Sequence, residues 1–147
     1  MNGIEILLKA VQDGALLGPN TFANLQPDDI DALLNERDRP PFDSTWIRLY
    51  KQIEDTDLSQ GEAADLRRLR EKTFLTTARH FPGGSELSGY ISDDFGLIGK
   101  AFAANFHDEF ITGLLESYIM GKIPSSVVVP KPGVSLRSLV DGLRQSQ

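Results

Sequence analysis

Apolar residues recur along this chain at spacings of three and four, the period of a helix with one buried face. Ile4, Leu7, Leu8 and Val11 make the first such stripe, with Glu5 and Lys9 as an i,i+4 pair outside it and Gly14 placed to end it. Pro27 suits a first helical position, and Asp28, Asp29 and Asp31 lie in the turn where the helix dipole favours negative charge. Ile30, Leu33 and Leu34 predict the buried face of this second helix, which Arg39-Pro40-Pro41 stops. Asp43 or Ser44 then caps a third helix carrying Trp46, Ile47, Tyr50 and Ile53.

Ser59 and Glu62 have the separation of a capping box, opening a long helix that runs to about Arg79. Its apolar face is Leu66, Leu69, Thr73 and Thr76 or Thr77, with Arg67, Arg68, Arg70 and Lys72 pointing largely elsewhere. Pro82-Gly83-Gly84 predicts a turn, and Ser92 followed by Asp93 and Asp94 predicts the start of the next helix, with Phe95, Ile98, Phe102 and Phe106 on one side. A further helix starts near Asp108 and carries Phe110, Ile111, Leu114, Leu115, Tyr118 and Ile119 to a stop at Gly121 and Pro124. Val127-Val128-Val129 would make a short edge strand, confined to an edge by Pro130 and Pro132. Ser135 caps a last helix with Leu136, Leu139, Val140 and Leu143. These elements predict an all-α fold: one domain over residues 1–147, six or seven helices in a bundle-like body.

The 147-residue length suits a single core, and the absence of cysteine excludes disulfides, thiolate metal sites and cysteine nucleophiles. No apolar run is long enough to span a bilayer, and Glu5 and Lys9 interrupt the apolar start that a signal peptide would need, so a soluble cytoplasmic protein with no membrane partner is expected. The formal net charge is -6 and it is unevenly laid out. Residues 1–60 hold eleven acids and five bases, residues 61–80 five bases and three acids, and residues 81–120 six acids and one base. Two acidic segments, Asp28 to Asp57 and Glu86 to Glu116, bracket a basic helix. Such a surface repels nucleic acid phosphate and would steer a basic protein partner.

Other chemistry is thin. His107, Asp108 and Glu109 with Asp93 and Asp94 are the one group that would chelate a cation or do acid–base work, but a cap and first-turn role suits His107 and Asp108 better, and no metal or cofactor is expected. His80 suits a helix C-terminus, and Gly83-Gly84 lacks the strand and lysine of a phosphate loop. No serine stands in a nucleophile elbow, so no enzyme is expected. Gly96 and Gly99, three apart within a helical pattern, indicate a close approach by a neighbouring helix or by a partner docking beside Asp93, Asp94 and Lys100. Trp46, with Phe42 before it and Tyr50 one turn later, reads as core, and an exposed aromatic edge there would instead be an interface anchor.

The stretch Gly89-Tyr90-Ile91-Ser92-Asp93-Asp94-Phe95-Gly96-Leu97-Ile98, continued by Phe110-Ile111 to Tyr118-Ile119-Met120-Gly121-Lys122-Ile123-Pro124, resembles small helical bacterial immunity proteins of polymorphic toxins, including those of contact-dependent growth inhibition. The resemblance implies a cytoplasmic, non-catalytic protein that binds one cognate toxin domain and blocks its active site or its approach to substrate. It carries over no contact residues, because such proteins are diverse. The expected partner-binding residues are, from charge, the carboxylates of Asp28, Asp29 and Asp31 or of Asp93 and Asp94, facing a basic nuclease, with Lys100 beside the Gly96/Gly99 docking groove. Two other readings use the same residues differently: a helical adaptor or homodimer meeting through the Gly96/Gly99 face, and an enzyme acting through Asp93, Asp94, His107 and Glu109.

Overall fold

The computed structural model describes residues 2–23, 25–125 and 133–145. The chain is all-helical, with eight helices and no strand among the described residues. They are α1 (Gly3–Gln12), α2 (Pro19–Phe22), α3 (Pro27–Arg37), α4 (Phe42–Ile53), α5 (Gln60–His80), α6 (Ser85–Ala104), α7 (Glu109–Ile119) and α8 (Leu136–Gln145). None of them is long and apolar enough to cross a membrane. The Val127 to Val129 segment lies outside the described residues.

The helix starts follow local chemistry. Asn2 caps α1 by accepting the Glu5 N–H, and Asp108 caps α7 by accepting those of Phe110 at 2.8 Å and Ile111 at 3.2 Å. At α5 the expected capping box is present in both directions between Ser59 and Glu62. Ser135 and Ser138 close the start of α8 in the same reciprocal way. Gly14 and Gly121 take positive φ just past the ends of α1 and α7, as helix-stopping glycines do.

Several boundaries differ from the sequence expectation. α4 opens at Phe42 after Pro41 with no side-chain cap, because the Pro40-Pro41 corner starts the helix, so Asp43 and Ser44 lie in its first turn and do not cap it. Residues 19–22 form a short extra helix, started by Pro19, which raises the count to eight. The helix expected to open at Ser92 begins seven residues earlier at Ser85, so Ser92, Asp93 and Asp94 lie in its middle. Ser-Asp-Asp is a good local start signal, but these side chains have tertiary partners: the Ser92 hydroxyl donates to the Arg70 carbonyl at 3.0 Å. The same helix ends at Ala104, where Asn105 turns left-handed and leaves Phe106 beyond it.

α6 is the central element. It packs most extensively on α5 and also touches α1, α4 and α7, and eleven of its residues are buried. α8 closes the bundle against α1 and α7. The core joins Leu7 of α1, Leu69 of α5, Leu87, Ile91, Phe95 and Ile98 of α6, and Leu114 of α7, all fully or almost fully enclosed. Three glycines among the described residues are set by close approach: Gly18, where a Cβ would lie 2.5 Å from the Gly14 carbonyl oxygen, and two in the bundle. A Cβ on Gly3 would lie within 2.3–2.6 Å of the Phe102 ring, and one on Gly99 within 2.5 Å of a Leu66 methyl.

Candidate partner-binding surface

Asp94 does not face outward. Its exposure is 0%, and Arg37 reaches it as a two-pronged ion pair, Nη1 to Oδ2 at 2.8 Å and Nη2 to Oδ1 at 2.6 Å. Trp46 Nε1–H donates to Oδ1 at 2.9 Å and the Tyr118 hydroxyl to Oδ2 at 2.6 Å. Four donors therefore satisfy one enclosed carboxylate, which is the condition for keeping a charge out of water. Arg37 is 3% exposed, lies against the rings of Phe42 and Tyr90 at 4.6 and 5.1 Å, and gives a further hydrogen bond to the Pro124 carbonyl. Its Nε has no hydrogen-bond partner among the described residues. The node thus ties α3, α4, α6 and α7 to the segment that follows α7. The expectation that Asp94 contacts a partner is corrected: both its oxygens are engaged inside the fold.

Burial pulls the Arg37 guanidinium down, but the Asp94 charge and its hydrogen bonds more than reverse this, so Arg37 is held above its ordinary value. Burial raises the Tyr118 hydroxyl well above its ordinary value, and the Asp94 charge adds to that. At the edge of the node the Tyr90 hydroxyl donates to Asp38 and is pushed up to about 12, first by that hydrogen bond and then by partial burial. Raised folded-state values mean that these O–H bonds stabilise the fold below the ordinary tyrosine range, and that this is lost as pH rises through the folded values. On alkaline titration to about pH 10, Tyr90→Phe and Tyr118→Phe should leave the near-ultraviolet tyrosinate amplitude of the folded protein unchanged. A drop in amplitude for either variant would contradict the assignment.

The other expected residues are distributed over two places. Asp93 is half-exposed and paired with Arg70 at 2.8 Å; partial burial raises its carboxyl, Arg70 opposes this and Asp94 assists. Lys100 donates to the Glu54 carbonyl at 3.3 Å and lies 5.6 Å over the Tyr50 ring. Asp93 and Lys100 do share a depression of about 260 Å³ with Trp46, Tyr50 and Gly96. Gly96 and Gly99, however, are small because α5 packs on them: Arg70 covers Gly96 and Leu66 seals Gly99. At Gly99 this is core packing within the chain, whereas the Arg70 that covers Gly96 is itself half-exposed.

Asp28, Asp29 and Asp31 stand apart on α3, all exposed. Asp29 accepts the Gln26 N–H at 3.0 Å and so serves its own helix. Asp28 and Asp31 have no ion pair or side-chain hydrogen bond among the described residues. His107, Asp108 and Glu109 line a cleft with Gly133 and Ser135 that Asp93 and Asp94 do not line. No group of three or more His, Asp or Glu is placed to hold a metal ion among the described residues. His80 ends α5 and stacks on Phe22 at 4.5 Å, a partner its sequence position did not suggest.

Arg37 was the residue sequence reasoning missed, although a signal exists. Ile30, Leu34 and Arg37 are four and three apart, so Arg37 lies on the apolar stripe of α3. Asp94 lies likewise three residues after Ile91 and four before Ile98, and Tyr118 follows Leu114 and Leu115. An acid, a base and a phenol on three buried stripes point to one internal cluster.

The arrangement defines a helical protein whose buried polar residues hold the bundle together and whose uncommitted charge is on the surface. A family model described as Immunity protein PIM1 matches residues 6–125, from α1 through the segment after α7. The chain belongs to that family of immunity proteins. No curated protein sequence matches it significantly.

Proposed function

We propose that the protein binds and neutralises a cognate bacterial toxin domain in the cytoplasm, that this domain is a basic nuclease, and that inhibition is by occlusion. The observation that carries this reading is the contrast between the two acidic clusters. Asp94 is locked to Arg37 and Asp93 is paired with Arg70, whereas Asp28 and Asp31 are exposed and committed to nothing among the described residues. A carboxylate already neutralised inside its own fold attracts a partner weakly, while exposed unpaired ones raise the local potential and the encounter rate. α3 is therefore the steering face, with Asp29 adding charge while capping its helix.

The test is the association rate with the toxin domain encoded beside the gene, measured at rising salt. Exposed charges are screened within about 8 Å at physiological ionic strength, so the rate should fall steeply. Reversing Asp28, Asp29 and Asp31 to lysine should slow association by about tenfold or more at low salt, and Asp93→Lys by much less. Equal rates for the triple variant and the unaltered protein would remove α3 from the steering role.

A further inference from the structure

The face that α5 makes with α4 and α6 carries two adjoining depressions. The wider, of about 520 Å³, is lined by Leu58, Leu66, Arg67, Glu71, Phe74 and Leu75. The smaller is the 260 Å³ depression beside Trp46, Tyr50 and Lys100. Leu66 and Arg70 line both, so the two share a wall. Phe74 and Leu75 are 37% and 46% exposed, and they lie off the buried stripe of α5, which is Leu66, Leu69, Thr73 and Thr77. Both lie outside the core cluster.

Charge separates this face from α3. Arg67 is exposed and has no ion pair among the described residues, and the Lys100 ammonium has only a backbone carbonyl and the Tyr50 ring. Arg70 is held by Asp93, and Glu71 is the one carboxylate at the rim of the wider depression. Apolar and aromatic side chains beside unpaired cations are the composition of energetic anchor points in interfaces. Their complement is an apolar side chain flanked by acid, since a basic segment would bring like charge to Arg67 and Lys100.

We infer that this face receives a segment of the toxin domain bearing large apolar side chains flanked by Asp or Glu, gripped in the Phe74/Leu75 depression with Arg67 and Lys100 on its carboxylates. The inference rests on the immunity reading and adds a second contact, opposite in sign to the steering face. Calorimetry with the toxin domain encoded beside the gene tests it on the full chain. Replacing Phe74 and Leu75 together by alanine should weaken binding about tenfold or more while leaving the protein folded, with only a small shift of the urea midpoint. Arg67→Glu should weaken it similarly and Arg67→Lys should largely retain it.

Unchanged affinity in both the Phe74/Leu75 and Arg67→Glu variants, with the unaltered protein still binding, would overturn the groove and leave the immunity reading standing. A lack of binding by the unaltered protein would overturn both. Sedimentation supplies the remaining outcome: a dimer of the protein alone that the Phe74/Leu75 variant dissolves would assign the face to a second copy and overturn the inference.

Discussion

Asp94→Ala should lower the stability of the protein by about 3–5 kcal/mol, the range found when one partner of a buried ion pair is removed. Three side chains lose their acceptor at once, and four hydrogen bonds with it: the Arg37 guanidinium, the Trp46 indole N–H and the Tyr118 hydroxyl. Arg37 is left enclosed with its charge, an Nε already without a partner and the Pro124 carbonyl as its remaining acceptor. Since whole domains are stable by only about 5–15 kcal/mol, the variant should lose a large fraction of its stability. Trp46 is the sole tryptophan and donates directly to Asp94, so its fluorescence in a urea titration reports the node and the global transition together. Replacing both charges by apolar residues of similar size, Arg37→Met with Asp94→Leu, should recover much of the loss. A single-variant loss below about 1 kcal/mol would show that the pair is solvated in solution and that Asp94 is open to a partner after all.

Phe95→Ala should be of similar size, about 3–5 kcal/mol, for a different reason. Phe95 is fully buried in the middle of α6 and packs against the Tyr118 ring at a centroid distance of 4.8 Å. Truncation removes the transfer energy of the ring and leaves a cavity walled by helices that cannot close on it, because α5 and α7 hold α6 from two sides. The midpoint of thermal unfolding should fall by on the order of 10 °C for a chain of this size. Phe74→Ala, one helix away and partly exposed, should stay within about 1 kcal/mol of the unaltered protein. Comparable losses at both positions would mean that Phe74 belongs to the core and would weaken the case for a docking face there.

Much of the fold was legible because one helix at a time carries its own evidence. Ser59 with Glu62 marks a start by hydrogen bonds between near neighbours, and Leu66, Leu69, Thr73 and Thr77 repeat with the helical period whatever surrounds them. α6 was harder. Ser92-Asp93-Asp94 has the chemistry of a cap, and only the chain folded in three dimensions brings Arg70 and Arg37 to those groups. Local preference was overridden by tertiary hydrogen bonds.

The candidate site divides along the same line. Charge counting located both acidic segments, but it treats all carboxylates alike, whereas burial separates Asp94 from Asp28 and Asp31. The helical period of Ile30, Leu34 and Arg37 held the missing information, since a base on an apolar stripe requires an acid to meet it. The apolar face at Phe74 and Leu75 was hidden for the opposite reason. On a helix with a full buried stripe, extra apolar residues look like more core until the bundle shows which side is covered.

The most direct measurement is amide hydrogen exchange on the protein alone and in complex with the toxin domain proposed as its partner. If that domain is bound through the exposed acids, exchange should slow along Pro27 to Asp38. Complex formation with no change in that stretch, and slowing confined to α7 and α8, would contradict it.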